Sequence, residues 1–531
     1  MSNIEALVAN INDLQNGETK QVLVGETEVL LAKINNKFYA VGAHCTHYKA
    51  PLAEGVINGE SVICPWHNAC FSLVTGDRQA PPGLDALPRY QVRVDGDRII
   101  VSVPASAAPK RTPAMAQFNL DADNRTFVVL GAGAAGSAAV EKLRQVGFQG
   151  RIIMVTQENK LPYDRTWLSK DYLTGKVSPE EMPLRTEEFY QDKGIEVLLN
   201  KQVVSVDAVN RVITFADDST LGYDSLLLAT GGKPRQLDVE GANLENVFTL
   251  RSFQDIEQIL AAAKQATRVV VIGSSFIGME TAAGLTQHGL QVTVVSPSGL
   301  PFEKILGKEI GQLFQTIHEE QGVTFRLKTK VTKLEGNGKV EAVILDDGDF
   351  LAADLVVVGI GVQPATEYLQ GIELNEKDKS VVVDKHLCAA DGLYAAGDIA
   401  RFPDWRTDSA IRVEHWRIAA QHGEIAAANM AGQEVEFTGV PVFWTAQFEF
   451  PLRYVGHTEE WDEIIFDGEL EKREFIAFYI KGDRVLAAAA SQRDTEMAAI
   501  SELMRLDKMP TAEQLRAGSV DTIEQLKQVQ T

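Results

Sequence analysis

Cysteine is scarce in this chain: four in 531 residues, at Cys45, Cys64, Cys70 and Cys388. So few, so unevenly spaced, exclude a disulfide framework. Long apolar runs are missing as well. No stretch approaches the ~18 residues of a membrane span. The opening Met-Ser-Asn-Ile-Glu has neither the basic nor the apolar region of a signal peptide. A cytoplasmic chain with no membrane span is therefore expected. Positive charge is in deficit: 51 Lys and Arg stand against 73 Asp and Glu, a net charge of −22. That balance argues against nucleic acid or anionic membrane as partners. It suits ordinary acidic solubility, or the approach of a basic redox protein. Length imposes no limit on core size, and 531 residues predict about three to four domains.

Two of the cysteines sit in short motifs with histidine. Cys45-Thr-His47 and Cys64-Pro-Trp-His67 are separated by 16 residues. Two loops of this kind supply two sulfurs and two nitrogens, the donor set of a Rieske [2Fe–2S] centre. A structural zinc site also takes Cys and His in fours, but more often pairs Cys with Cys and His with His. The interleaved order favours the iron–sulfur centre, with Cys45, His47, Cys64 and His67 as metal ligands. Cys64-Pro-Trp-His67 with Gly76-Asp77 downstream resembles a Rieske ferredoxin-type domain. Ala50 and Trp66 stand where Rieske proteins of respiratory complexes carry a bridging Cys pair, so the resemblance implies a low-potential cluster. Asn68 stands where relatives usually have Gly. Cys70 has no obvious partner in sequence.

The pattern of the chain changes along its length. Residues 1–104 carry short β-type runs such as Gln21–Val24, Glu28–Ala32 and Arg98–Val103, punctuated by Asn35-Asn36 and Asp95-Gly96-Asp97. Residues 105–126 are Ala/Pro-rich and aperiodic, the composition of a semi-rigid linker. From Phe127 strands alternate with helical stretches, the signature of parallel α/β sheets. The remainder, 441–531, returns to strands at Phe475–Ile480 and Arg484–Ala489 and closes on helix-like segments over Thr495–Leu506 and Thr511–Gln530. The expected class is multidomain: an all-β domain, an α/β reductase with two dinucleotide-binding domains, and an α+β C-terminal cap.

Phe127–Leu130 feeds Gly131-Ala-Gly133-Ala-Ala-Gly136 and then a helical run. The first Gly permits the tight turn. The second lets backbone approach a pyrophosphate, and the third lets the helix pack on the strand. The helix N-terminus then faces the phosphates. A following strand ends near Glu158, placed to hold a ribose hydroxyl. A second fingerprint, Gly273-Ser-Ser275-Phe-Ile-Gly278, follows Arg268–Ile272. Ser275 replaces its middle glycine. The next strand ends at Ser296-Pro297, with neither the acid that favours NADH nor the Arg that favours NADPH.

Two such fingerprints, the second inserted in the first, resemble the FAD/NAD(P) two-domain reductases. Thr230-Gly231-Gly232 and Gly359-Ile-Gly361 match the segments where the chain returns from each domain. Leu393-Tyr-Ala-Ala-Gly397-Asp398 matches the second FAD motif. Leu161-Pro-Tyr-Asp-Arg165 with Leu168-Ser-Lys170 is similar to the flavin-flanking segment of oxygenase-type ferredoxin reductases. That resemblance implies that Arg165 and Asp398 contact FAD and that Lys170 sits at its hydride-accepting edge. It further implies that Glu280 pairs with Lys170 and that Trp416, in Glu414-His415-Trp416, lies near the flavin face. Residues 137–200 contain no Cys, so the redox Cys pair of disulfide reductases is absent there. Another exit for electrons is needed, and the N-terminal domain offers one.

Together with Pro82-Gly-Leu-Asp85, Val442-Phe-Trp444-Thr445 and Phe475–Asp483, these motifs make the chain resemble apoptosis-inducing-factor-like flavoproteins with an N-terminal Rieske domain. The resemblance implies a Rieske domain over 1–104, an FAD domain over 127–250 and 376–440, an NAD(P) domain over 251–375, and a cap over 441–531. FAD, a [2Fe–2S] cluster and NADH are the expected cofactors, with NADPH left open. The expected activity passes electrons from NAD(P)H through FAD to the cluster and on to an unidentified acceptor, a redox protein or an oxygenase. A binding or signalling protein with incidental turnover, and a reductase component of an oxygenase system, are the alternatives. Oligomeric state is not legible.

Overall fold

The computed structural model describes residues 3–518 and 520–529. The first hundred residues fold as two antiparallel β layers. Six strands run in the order Asn3–Asn10, Arg98–Pro104, Arg89–Asp95, Lys37–Gly42, Thr27–Ile34 and Glu18–Val24. A four-stranded sheet of Val56–Asn58, Ser61–Ile63, Cys70–Ser72 and Arg78–Ala80 carries the second cysteine motif. The alternation in Thr27–Ile34 places Leu30 and Ala32 in one apolar cluster with Cys45 and Cys64, and Val29 and Leu31 in another. This is the period-two side-chain geometry of a strand buried on both faces.

Two parallel sheets follow. The first has the order Ile195–Leu198, Arg151–Val155, Thr126–Leu130, Ser225–Leu228, Leu393–Ala395, Cys388–Ala390. Its first five strands are parallel neighbours, and that order is the doubly wound one. The second is Val247–Thr249, Leu355–Val358, Arg268–Ile272, Gln291–Ser296, Thr324–Leu327, parallel throughout. The central strands read as unbroken Val/Ile/Leu runs because both faces are covered. The expected divisions at 250/251 and 375/376 shift accordingly. Val247–Thr249 already belongs to the second sheet, and Leu369–Gln370 already pairs with Val203–Asp207 of the first unit. The two crossings pair with each other through Gly232–Pro234 and Val362–Pro364.

The cap is a five-stranded antiparallel sheet with the helix Asp494–Arg505 against it. The single helix expected over Thr511–Gln530 is instead two, Ala512–Ala517 and Thr522–Val529. Gly518, with φ 150°, stands between them, and Gln530 lies outside the described residues.

The β domain does not hang from its tether. Val56 and Ile63 share an apolar cluster with Ala498, Ala499, Leu503 and Leu526 of the cap. Arg185 reaches Asp85 at 2.7 Å and Glu141 at 3.0 Å, all three buried. Arg417 donates to the carbonyls of Asn68 and Pro81. The linker is fastened at both ends: Arg111 exchanges backbone bonds with Ala86, Ala116 donates to the Arg144 carbonyl, and Asn119 to that of Gln149.

Candidate redox site

The two Cys–His motifs fold into matching loops. In each, the Cys N–H donates to the carbonyl of an Ala (Ala50 or Ala69), and a later N–H (Lys49 or Asn68) returns to the Cys carbonyl. Lys49 has φ 60° and Asn68 φ 57°. Asn68 at the second loop suits this left-handed turn, since its short polar side chain tolerates that region. The N–H groups of His47 and Tyr48 point at the Cys45 sulfur, and those of Trp66 and His67 at the Cys64 sulfur.

Cys45 and Cys64 are buried and hydrogen-bonded to each other. That bond, together with burial, pushes the Cys45 thiol up, while the same bond holds Cys64 down. The Nδ1 atoms of His47 and His67 face each other at 3.1 Å. Two nitrogens so spaced can both reach one first-row metal at about 2.1 Å. Burial drives both imidazoles to the neutral form, His47 down to about 3, the form in which imidazole binds metal. Among the described residues no three His, Cys, Asp or Glu side chains converge on one point. A single structural zinc takes four such donors. A two-iron cluster takes two from the protein for each iron, the sulfurs on one and the nitrogens on the other. The donor set fits that cluster.

The histidine edge of this domain faces the reductase. Tyr48, stacked on His47 at 3.7 Å between centroids, donates its hydroxyl to Asp164 at 3.0 Å and lies over Trp167 at 5.6 Å. His67 lies 4.1 Å from Trp444, ring to ring. Thr445, the next residue, donates to Glu280 at 2.7 Å. Glu280 also accepts from Ser169 at 2.5 Å and from Lys170 at 2.9 Å. One short stretch of the cap therefore touches a candidate cluster ligand and, one residue later, the Lys170–Glu280 pair.

The first fingerprint has the shape a dinucleotide needs. Gly131 has φ 109°, and a Cβ there would fall 2.1 Å from the Ala229 carbonyl oxygen. A Cβ on Gly136 would fall 1.8 Å from the carbonyl oxygen of Gly131. At Gly133 a Cβ meets nothing nearer than Arg165 Nε at 3.8 Å, so that side is open. No side chain caps the helix Ala134–Gln145, so its first amides remain for an anion. Around this mouth Arg165 pairs with Glu158 and donates to Tyr163 Oη at 2.8 Å. Asp398 lies 2.7 Å from Arg251. Trp416 is half-buried at the first turn of the helix Trp416–Met430.

The second fingerprint differs in one respect. Ser275 caps its helix, accepting from the Gly278 N–H, and donates to the Gly359 carbonyl at 2.7 Å. Its side chain is turned into the protein, so Ser in place of Gly does not crowd the turn. Gly273, with φ 106°, closes on the Gly359 carbonyl. Ser296 is also turned inward: 2% exposed, its hydroxyl 2.8 Å from that of Ser274 and accepting from the Ser298 N–H. The Ser296 hydroxyl is thus engaged inside the protein.

Trp444, Tyr48, Asp164 and Thr445 were not singled out from the sequence as site residues. Their signal was faint, since Trp444, Thr445 and Asp164 lie in stretches that carried the family resemblance and Tyr48 follows a ligand.

A Rieske [2Fe-2S] domain model matches residues 5–91, a pyridine nucleotide-disulphide oxidoreductase model residues 125–423, and a reductase C-terminal model residues 442–528. The chain is 40% identical to apoptosis-inducing factor 3 of Homo sapiens, over 94% of this chain and 84% of that protein. It is 34% identical to a putidaredoxin reductase of Pseudomonas putida, over 73% and 93%. The solved covalent putidaredoxin reductase–putidaredoxin complex superposes with a TM-score of 0.72 at 32% identity, over 76% of this chain and 99% of the other. The chain belongs to the pyridine nucleotide-disulphide oxidoreductase family, with a Rieske [2Fe–2S] domain ahead of the reductase and a reductase C-terminal domain behind it.

Proposed function

We propose that this chain is an NAD(P)H oxidoreductase whose electrons leave FAD through its own Rieske cluster toward an acceptor. The observation that carries this reading is the strand at Trp444-Thr445. Trp444 packs on His67, and Thr445 bonds the Glu280 carboxylate that holds Lys170. When bound, FAD supplies a centre that takes a hydride and releases electrons singly, and the cluster accepts them one at a time.

In this reading Cys45, His47, Cys64 and His67 hold the cluster. Gly131, Gly133, Gly136, Glu158, Arg165, Asp398 and Trp416 would seat FAD. Gly273, Ser275 and Gly278 would seat the nicotinamide dinucleotide. Glu280 fixes the ammonium of Lys170 at 2.9 Å, so a cation is held ready where charge develops on hydride arrival. Tyr48 and Trp444 pack on the histidine edge, with Trp167 stacked on Tyr48. The docking that replaces a diffusional encounter is built into the fold, which turns transfer into an intramolecular event.

Relatives named as rubredoxin, putidaredoxin and benzene dioxygenase-system ferredoxin reductases make an oxygenase or small redox protein a reasonable downstream partner. With Ser296 engaged, NADH and NADPH are both to be tested as donors. No helix among the described residues is long and apolar enough to cross a membrane. The proposed location is the cytoplasm.

The deciding experiment is anaerobic stopped-flow reduction by NADH, with flavin absorbance and cluster EPR followed together. The flavin should bleach first and the cluster second, at a rate independent of protein concentration. His67→Ala should retain FAD and lose the cluster signal. Stoichiometric zinc without acid-labile sulfide, or a second phase that scales with protein concentration, would overturn the reading.

A further inference from the structure

We propose that Arg453 of the cap is an electrostatic tuning residue for the centre held by Cys45, His47, Cys64 and His67. Its buried guanidinium favours the reduced state and so raises the reduction potential of the docked Rieske domain. This inference rests on the function proposed above and adds to it the charge that draws the electron across the domain boundary.

The fold places the charge. Arg453 lies on the strand Phe450–Gly456, directly across from Trp444 on Val442–Gln447. Directly opposed residues of an antiparallel pair share one face of the sheet, with Cβ atoms about 5 Å apart. Trp444 packs on His67 at 4.1 Å, so Arg453 stands behind it, on the face of the cap turned to the second ligand loop. A separate contact fixes that face. Thr495 donates its hydroxyl to the Glu54 carbonyl of the Rieske domain at 2.7 Å, and the residue before it, Asp494, is the ion-pair partner of Arg453.

That partner neutralises the guanidinium poorly. Asp494 Oδ1 lies 3.4 Å from Nε, Oδ2 accepts from Nη2 at 3.5 Å, and Nε is buried without a hydrogen bond. The Asp494 side chain is 29% exposed against 11% for Arg453. Water therefore screens the anion more than the cation, and the field on the inner side is positive. Lys170, the other cation that bears on His67, is closely matched by Glu280 at 2.9 Å. At the first loop the sign is reversed, with Asp164 4.0 Å from His47 Nε2. The ligands of the second loop respond to Arg453. The Cys45 bond, then the His67 and Trp66 N–H groups and Arg453, hold the Cys64 thiol down. Burial, then His47 and Arg453, keep His67 neutral. A guanidinium does not surrender its proton in a protein, so the charge is permanent.

Reduction adds one electron to this donor set, drawn from the hydride that NADH delivers to FAD, and no bond is made or broken. Net charge around an iron–sulfur centre is one of the determinants of its potential. A unit charge about 10 Å away, at an effective dielectric of about 20, shifts such an equilibrium about tenfold. Because the charge stands in the cap, docking and reduction are linked. The factor by which docking favours the reduced state is the factor by which reduction tightens docking.

The test is an EPR-monitored redox titration of full-length holoprotein with mediators. Arg453→Met should lower the reduced-to-oxidised ratio about tenfold at a given potential, ~59 mV for a one-electron couple, with the g values of the parent. Arg453→Lys keeps the charge and should stay nearer to the parent than Arg453→Met does. Asp494→Asn removes the opposing charge and should move the midpoint upward, a sign that a purely structural role for the pair would not produce. A parent midpoint in Arg453→Met, or an Asp494→Asn midpoint at or below that of the parent, would overturn the proposal. Should Arg453→Met fail to hold the cluster, the sign of the Asp494→Asn shift decides. Absence of a Rieske signal from the parent protein would instead overturn the underlying function.

Discussion

Arg185 is the side chain through which the Rieske domain and the first fingerprint helix hold each other. Its Nη1 donates to Asp85 at 2.7 Å, its Nε and Nη2 to Glu141 at 3.0 Å, and Nη2 also to the Leu84 carbonyl at 3.2 Å. Burial alone would lower its pKa, but the two carboxylates overcome that and raise it. In Arg185→Leu two buried carboxylates lose their cation. Lys110 still meets Asp85 at 2.7 Å, so most of the penalty falls on Glu141. Removing one partner of a buried pair costs about 3–5 kcal/mol. Replacing both partners by apolar groups is far less costly, because no orphaned charge remains. The double variant Glu141→Leu/Arg185→Leu should recover more than half of the loss, a coupling of about 2 kcal/mol or more. The assay is urea denaturation of the holoprotein, followed by flavin fluorescence and by the visible circular dichroism of the cluster. Because several domains unfold, the relevant transition is the one in which flavin fluorescence rises. A loss under about 1 kcal/mol in the single variant, well below the range for a buried pair, would refute the reasoning. So would a double variant no more stable than the sum of the two singles.

Three further outcomes are expected. Trp444→Ala should leave flavin reduction by NADH unchanged and slow cluster reduction about tenfold, the equivalent of ~1.4 kcal/mol of lost packing and positioning against His67; stopped-flow at the two absorbances separates the phases, and equal slowing of both would contradict the placement of Trp444. Cys70, whose thiol burial and then Glu502 push up to about 12, should carry only about one thiolate in ten thousand at pH 8; iodoacetamide on the folded holoprotein should therefore modify Cys388 before Cys70, and peptide mapping showing the reverse order would contradict it. Ser275→Ala removes the cap on Phe276–Gln287 and the bond to Gly359, a loss of about 1 kcal/mol; it should raise the KM for NADH about fivefold with bound FAD unchanged, whereas loss of FAD would mean that the two fingerprints are not independent.

The parts of this protein that local chemistry writes were legible in its sequence. Cys45-Thr-His47 and Cys64-Pro-Trp-His67 place donors within a few residues of one another, so spacing alone nearly fixes the loop. Glycines at Gly131, Gly136, Gly273 and Gly278 answer steric demands met within one strand–turn–helix unit. A buried parallel strand such as Arg268–Ile272 announces itself by an unbroken apolar run. Where neighbours in space are distant in sequence, the sequence was silent or misleading. That the Ser296 hydroxyl meets Ser274 and the Ser298 N–H is one such contact. Gly518, whose φ of 150° no periodicity reveals, divides the segment that reads as helical over Thr511–Gln530 into two helices. The linker's composition set its stiffness but not its path, which backbone bonds to Ala86, Arg144 and Gln149 determine.

The sequence by itself therefore determined the cofactor-bearing modules and pointed to their candidate ligands, because each rests on groups a few bonds apart along the chain. Only the tertiary structure decided that His67 meets Trp444, that Arg185 clamps Asp85 and Glu141, and that a cavity opens beside His47. The physical reason is that these contacts join segments from separately folding units. Their energies depend on burial and approach between surfaces, and no local pattern of residues encodes which surface will be met.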